Sequence, residues 1–326
     1  MNNVRKKPLV SILILSWNGK DDTVDCLESL RQIDYPNYKV ILVDNGSSDG
    51  LAEIIHTNFS ETIFIRNKEN LGFAGGNNIG IRYALSQSSD YVLLLNNDTI
   101  VHPSFLSKLV DIGEEYDEIG MLSPIIYYDA PSDCLWFYRG EINWKNGFAY
   151  HCELDDARKL TEHIYDSEYL AGCSLLVKRQ VIESIGLLDQ RFFAYYEDVD
   201  WCLRCKRAGW KITVVPSSII WHKLSSHQNS DYGTFLKYRN AILLLWKHSD
   251  YIRFVQRVRR HIYKALAEYS WDRERHRHAK TLHPMDGVWA GLTCQYGAYR
   301  GKMPIWAHRI LDHTIRYWLL LFRFPR

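Results

Sequence analysis

The chain has no apolar run that approaches the ~20 residues needed to cross a bilayer. Its longest unbroken runs are 9–10 with 12–15, then 241–246 and 317–322, so no transmembrane segment is expected. It has no strong charge excess either. Forty Lys+Arg stand against 38 Asp+Glu over 326 residues, and 46% of the chain is hydrophobic. That combination excludes disorder for most of its length and is enough for one large core or two moderate ones. The basic start, 1–8, is followed by apolar residues broken by Ser11 and Ser16 and then by Asn18-Gly19. This reads as a strand and not as a signal peptide. The seven Cys are odd in number and follow no regular spacing, which argues against a disulfide framework and predicts a reducing, cytoplasmic compartment. No internal repeat or low-complexity segment is evident. Two phosphate-binding signatures are also missing. No G-x-G-x-x-G follows the first strand and no G-x-x-x-x-G-K-[ST] occurs anywhere, which argues against a dinucleotide site of the usual kind and excludes a P-loop.

The near-neutral total hides an asymmetry. Residues 251–326 hold 15 Lys+Arg and 5 Asp+Glu, net +10, so residues 1–250 stand at net −8. The tail also contains six of the 13 His and is rich in aromatics. A basic, aromatic tail on an acidic body suits an anionic surface, membrane or nucleic acid, or a solvated helical face packed on the main domain.

Strand-like and helix-like stretches alternate over the first 125 residues. Apolar runs at 9–15, 40–43, 63–65, 91–95 and 120–126 predict strands. Helices are expected over 21–32, with Asp21 or Asp22 as cap, over 74–85, and after Pro103. Such an order implies βαβ units around a buried parallel sheet. Farther on, strands are expected at 169–177, 211–215 and 219–221 and a helix near 199–208. After about Tyr232 the pattern is mainly helical.

Ligands bind at the carboxyl ends of the strands in such sheets. Strand one ends in Ser16-Trp17-Asn18-Gly19 and strand two in Asp44-Asn45. Asp44 can accept from a ribose hydroxyl or a base N–H; it can equally be a turn or capping Asp. Strand three leads into Asn70-Leu71-Gly72-Phe73-Ala74-Gly75-Gly76-Asn77-Asn78, a Gly-rich loop that lets backbone approach a ligand at a helix N-terminus. Strand four runs into Asn96-Asn97-Asp98-Thr99, where a carboxylate with amide oxygens makes a hard-oxygen site for a divalent cation. The cation would neutralise a leaving diphosphate. His222, at a later strand end, can complete such a shell. The run Phe192-Phe193-Ala194-Tyr195-Tyr196-Glu197-Asp198-Val199-Asp200 opens a helix with three acids. They are either a charged first turn favoured by the dipole or a partly buried general base with a raised pKa. Cys202 and Cys205 sit inside that helix with no second Cys pair and read as packing.

Together, residues 11–18, 43–49, 70–80, 94–99, 171–179, 193–209 and His222 resemble a family 2 glycosyltransferase of the GT-A fold, in its rhamnosyltransferase-like subgroup. Coverage runs from about residue 9 to 245. The resemblance implies a Rossmann-like, mixed α/β nucleotide-binding sheet flanked by helices over 1–245 and a helical basic and aromatic region over 246–326. It implies inverting transfer from a nucleotide-diphosphate sugar, with dTDP-L-rhamnose a candidate, to a hydroxyl of a glycan or lipid-linked glycan in surface polysaccharide biosynthesis. Asp44 would hold the base or ribose. Ser16, Asn18, Asn77 and Asn97 would line the nucleotide-sugar pocket. Asp98 and His222 would hold Mg²⁺ or Mn²⁺, and Asp198 would be the catalytic base. Glu197, Trp201 and Arg204 are acceptor-site candidates. Asn96 replaces the first acid of the family's Asp-x-Asp pattern and leaves Asp98 as that motif's one carboxylate. A cytoplasmic protein, peripheral on the inner face of the membrane, is expected, with no nucleic-acid partner; a homodimer is the alternative use of the tail's aromatics. A non-catalytic nucleotide-sugar-binding or scaffold protein of this fold is the second functional reading. A nucleotidyltransferase is a third, but it would want a basic Gly-rich loop near its start and two metal-binding acids.

Overall fold

Both faces of the central strands are covered, which is why they read as unbroken apolar runs. In the computed structural model, residues 7–129, 132–154, 159–223, 231–274 and 284–298 are described. They fall into two compact units: 1–142 with 149–225, and 143–148 with 226–326. The division therefore precedes the boundary expected at 245, which lies within a helix of the second unit.

The first unit opens with β1 (Val10–Ser16), α1 (Lys20–Leu30), β2 (Tyr38–Asp44), α2 (Leu51–Asn58), β3 (Ile63–Arg66), α3 (Gly72–Ser86) and β4 (Tyr91–Asn96). β1 pairs in parallel with β2 and β4, and β2 with β3. Ile12, Leu13, Ile14, Ile41, Leu42, Val92, Leu93 and Leu94 are buried between the flanking helices. Next come β5 (Thr99–Val101), α4 (Phe105–Glu115), β6 (Ile119–Tyr128), β7 (Leu135–Phe137), β8 (Gly140–Asn143), β9 (Phe148–His151), β10 (Tyr165–Asp166), β11 (Ser174–Lys178), α5 (Arg179–Ile185), a 3-10 turn (Gln190–Phe192), α6 (Glu197–Arg207) and β12 (Lys211–His222). The main sheet runs β10-β12-β6-β11-β4-β1-β2-β3, with β5 on β12 and β7 on β6. β8 and β9 form a separate two-stranded sheet.

The sheet is mixed, as the resemblance implied and as the βαβ pattern alone did not. β11 runs antiparallel to both β4 and β6. Other expectations shift. The strand expected at 169–177 begins only at Ser174. The two strands expected at 211–215 and 219–221 are one, β12, with an irregularity between Val215 and Ile219. Asp21 and Asp22 lie in the first turn of α1, whose cap is Gly19 with no side-chain bond. The Gly-rich stretch is the start of α3 and not a loop before it.

The second unit contains α7 (Asp231–His248), α8 (Tyr251–Glu274) and α9 (Pro284–Leu292). Tyr238, Ile242, Leu245, Val258, Ala265, Met285 and Val288 form its core, with Phe148 and Trp289 packed against them. A Cβ on Gly287 would stand 2.4 Å from the Phe235 carbonyl oxygen, and one on Gly291 3.0 Å from that of Arg239. α9 can therefore lie close against α7 only with glycine at these positions one turn apart.

Candidate active site

The carboxyl ends of β1, β2, β3 and β4 lie level. Ser16 pairs in register with Asp44, Asp44 with Arg66, and Leu15 with Asn96. The buried Asp44 carboxylate accepts the Ser47 amide at 2.9 Å and faces Arg66 Nε at 3.2 Å. Arg66 also donates to the Ser47 carbonyl at 2.8 Å. A carboxylate has about four acceptor positions, so Asp44 retains capacity for a ligand. Asn18, at φ 50°, donates its amide to Ser47 Oγ and accepts the Ser48 amide, each at 2.9 Å. It fastens the 44–49 loop over the strand end. Asn45 does the same for the next loop, accepting from Asn67 Nδ2 and the Leu71 amide while donating to Asn70 Oδ1 and the Gly72 carbonyl.

Three expected pocket residues have their side chains engaged in the scaffold. The buried Ser16 hydroxyl pairs with Thr23 Oγ1 at 2.9 Å. Asn97 Nδ2 donates to Thr23 Oγ1 at 3.0 Å and to the Gly19 carbonyl at 3.2 Å. Asn77 Nδ2 donates back to the Phe73 carbonyl one turn earlier in α3.

Asp98 and His222 are 124 positions apart and meet because β5 pairs with β12 through Thr99 and His222. Asp98 Oδ1 lies 3.0 Å from His222 Nε2, and the Lys223 amide donates to the Asp98 carbonyl at 2.9 Å. Burial works against a charged His222 ring, but Cys173 and Asp98 beside it raise its pKa to about 10. Burial also pushes the Cys173 thiol up. Neither nitrogen of the buried His222 ring has an aligned hydrogen-bond partner among the described residues. A divalent cation would have to displace the proton that this raised pKa keeps on the ring; the neutral imidazole and the adjacent carboxylate would then fit such an ion. Among the described residues, however, no three His, Cys, Asp or Glu side chains gather around one point. The protein would thus supply two donors, and diphosphate and water the rest.

Asp198 lies at the first turn of α6. Its Oδ2 accepts the Gly172 amide at 2.8 Å and its Oδ1 the Val199 amide at 2.7 Å. Burial raises its pKa and these amide bonds hold the rise back. Such opposed effects suit a general base. The neighbouring Glu197 is buried, and its Oε2 has no hydrogen-bond partner among the described residues. Burial, reinforced by the Asp198 charge, keeps its carboxyl well above the usual range. The chain enters α6 through Phe193, Tyr195 and Tyr196, at φ 65°, 68° and 76°. Positive φ is costly for bulky residues and tends to cluster at functional sites. The start of α3 locks this segment, since the Ala74 amide donates to the Phe193 carbonyl at 3.1 Å. A Cβ on Gly72 would stand 2.5 Å from that same oxygen.

Two acceptor-site candidates have their side chains engaged in the scaffold. Trp201 is fully buried and donates Nε1 to the Gly186 carbonyl at 2.8 Å. Arg204 pairs with the buried Asp200 at 2.9 Å and donates to the Ile185 and Leu187 carbonyls at 2.6 and 2.8 Å. Both clamp the 185–187 turn under α6. Three contributors were not singled out from the sequence. Arg66 carried no signal beyond its place at a strand end. Gly172 and Cys173 lay within the 171–179 segment without individual roles.

The family described as "Glycosyl transferase family 2" matches residues 11–174, and the chain belongs to it. Its relatives include the dTDP-rhamnosyl transferase RfbF of Shigella flexneri, 24% identical over 72% of this chain and 79% of that protein. The N-acetylglucosaminyl-diphospho-decaprenol L-rhamnosyltransferase of Mycobacterium tuberculosis is 26% identical over 66% of this chain and 76% of its own length. Among solved structures, the mannosyltransferase PcManGT from Pyrobaculum calidifontis with GDP-Man and Mn²⁺ matches at TM-score 0.55 and 14% identity, covering 96% of this chain and 84% of that one. GalNAc-T7 with UDP, GalNAc and Mn²⁺ matches at TM-score 0.58 and 18% identity, over 83% of this chain and 58% of that chain. The fold is GT-A, and the protein is a glycosyltransferase.

Proposed function

We propose that the enzyme transfers a hexosyl unit with inversion from a nucleotide-diphosphate sugar, dTDP-L-rhamnose first among candidates, to a hydroxyl of a glycan or lipid-linked glycan during surface polysaccharide synthesis. The observation that carries it is Asp198, held by the Gly172 amide at 2.8 Å and with a pKa raised by burial. Relatives named for dTDP-rhamnosyl transfer and for a diphospho-decaprenol acceptor support the donor and acceptor classes.

Asp198 takes the proton of the acceptor hydroxyl as that oxygen bonds to the sugar's anomeric carbon. The bond from that carbon to the diphosphate oxygen breaks on the opposite face, and the nucleoside diphosphate leaves. Asp44 orients the base or ribose, with Arg66 holding its carboxylate in place. Asn18 and Asn45 keep the two loops around it in position. Ser16, Asn77 and Asn97 support the pocket wall through their scaffold bonds. Asp98 and His222 would hold Mg²⁺ or Mn²⁺, which when bound would neutralise charge on the departing diphosphate.

A screen of dTDP-, UDP- and GDP-sugars, read by nucleoside diphosphate release and by the anomeric configuration of the product, tests this reading. Release with an inverted product from one donor class is expected. Binding of a nucleotide sugar without turnover, with any glycan acceptor, would favour the scaffold reading instead.

A further inference from the structure

Helix α8 has two apolar faces, and among the described residues only one of them has a partner. On the inner face, Phe254, Val258, Ile262, Ala265 and Leu266 join the core of the second unit. On the outer face, Ile252, Val255, Arg259 and Tyr263 recur at intervals of three and four residues. Tyr251 is 76% exposed, Ile252 69% and Val255 50%. A helix packed on one side and solvated on the other carries polar residues outward; this one presents an aliphatic and aromatic ridge. Trp246, at the end of α7, is 59% exposed and meets Phe254 edge-on at 5.3 Å, which extends the ridge past the start of α8.

Arginines flank the ridge. Arg253 pairs with Asp250 at 3.3 Å. Arg257 turns to Trp144 and Ser249. Among the described residues, no carboxylate pairs with the exposed Arg259 or Arg260. Arg259 lies over the Tyr263 ring, and Lys264 over Phe148. Glu268, Asp272 and Glu274 follow, toward the far end of the same helix. The surface thus combines exposed Ile, Val, Tyr and Trp with uncompensated guanidinium charge.

We propose that this outer face of α8, with Trp246, docks the enzyme on an anionic lipid bilayer, the helix lying in the plane of the interface. The occupant follows from the pairing of the two chemistries. A second copy of this chain would bring Arg259 and Arg260 against themselves. A nucleic acid backbone would satisfy the arginines and leave Ile252 and Val255 without a counterpart. Anionic headgroups take the arginines, the acyl boundary takes the aliphatic side chains, and tryptophan and tyrosine rings favour the level between. Insertion is shallow, because no helix among the described residues is long and apolar enough to cross a membrane. The proposal rests on α8 and Trp246 alone and does not depend on which sugar or acceptor the enzyme uses.

The test is co-sedimentation of the full chain with phosphatidylcholine vesicles, with and without phosphatidylglycerol, over a range of salt. Binding is expected only with the anionic lipid and should weaken as salt rises. Arg259→Glu should lower partitioning by roughly fivefold or more, given the contribution of one basic side chain near such a surface. Ile252→Glu should lower it at high salt as well, where the electrostatic share is screened. Lys39→Glu, an exposed change on β2, should bind as wild type, and circular dichroism checks that each variant folds. Equal partitioning of all three variants and wild type would overturn the proposal. So would failure to bind anionic vesicles, whether or not α8 substitutions then abolish a dimer in sedimentation velocity or a shift of duplex DNA.

Discussion

Asp198 Oδ2 accepts the amide of Gly172 at 2.8 Å, and a Cβ added to Gly172 would stand 3.3 Å from that same oxygen. The turn before β11 therefore sets the direction of the carboxylate at the head of α6. Asp198→Asn keeps a similar shape and removes the proposed base. Turnover should fall roughly 10²–10⁴-fold while calorimetry shows donor binding nearly unchanged. Activity within about threefold of wild type would move the role to Glu197. Gly172→Ala should leave the fold intact but displace Asp198 and Phe73, since the new methyl also lies 3.3 Å from Phe73 Cε1. Misplacement of a catalytic group by a fraction of an ångström justifies an expected loss of about tenfold or more in kcat, with donor affinity retained.

Arg204 and Trp201 are expected to behave as structural residues. Arg204→Ala removes the Arg204 guanidinium from the buried Asp200 and its two hydrogen bonds from the Ile185 and Leu187 carbonyls. Loss of one partner from a buried, hydrogen-bonded charge costs about 3–5 kcal/mol, read as a fall in thermal midpoint. Below that midpoint the acceptor KM should stay within about twofold of wild type. A selective rise in acceptor KM with unchanged stability would return Arg204 to the acceptor site.

The legible parts of this molecule are those where burial leaves a local trace. β1, β2 and β4 are covered on both faces and show as apolar runs, and their polar ends stood out against them. Strand direction leaves no such trace, so the antiparallel β11 was not visible in its apolar residues. α2 is short and follows a turn cluster, and no helix was expected there. Gly75 and Gly76 fall inside the helix expected from residue 74, which begins two residues earlier, at Gly72. Packing requires glycine here: a Cβ at Gly72 would meet Phe193 and one at Gly76 would stand 2.4 Å from Leu15. The contact between Asp98 and His222 depends on the pairing of β5 with β12, which no spacing within one segment encodes. Trp201 and Arg204 were placed near the acceptor because their carbonyl partners lie on a turn outside the motif. The apolar run at 317–322 of the basic, aromatic tail lies outside the described residues.

Glu197 predicts a pH dependence of stability. Its carboxyl is buried and raised well above the ordinary range, first by desolvation and then by Asp198. A carboxyl whose folded pKa exceeds its unfolded value binds more protons folded than unfolded between the two. Its contribution is therefore fully present below the unfolded pKa, about 4.3, and is lost as pH rises through the folded one. The slope in that window approaches about 1.4 kcal/mol per pH unit. Glu197→Gln, a neutral shape mimic, should flatten the slope and leave the variant more stable than wild type at neutral pH. Denaturant melts from pH 5 to 8 read this directly. Parallel curves for the two proteins would mean that Glu197 is ionised in the fold.

The cation prediction concerns Asp98 and His222. Asn96 removes one carboxylate from the strand-end motif, and the protein's share of the shell falls to a carboxylate and an imidazole. Two protein donors bind Mg²⁺ or Mn²⁺ weakly unless phosphate oxygens complete the coordination. Titration of Mn²⁺ into the enzyme alone should therefore show little binding, and titration with nucleoside diphosphate present should show about one ion per chain. Asp98→Ala should abolish that coupled binding and weaken the diphosphate in parallel. His222→Ala should do the same to a smaller degree, because a carboxylate attracts the ion by charge as well as by coordination. Excess chelator should inhibit the wild type, and added Mn²⁺ should restore it. Full activity in chelator would mean that charge on the leaving diphosphate is met by side chains alone, and Asp98 would then be retained for its hold on His222.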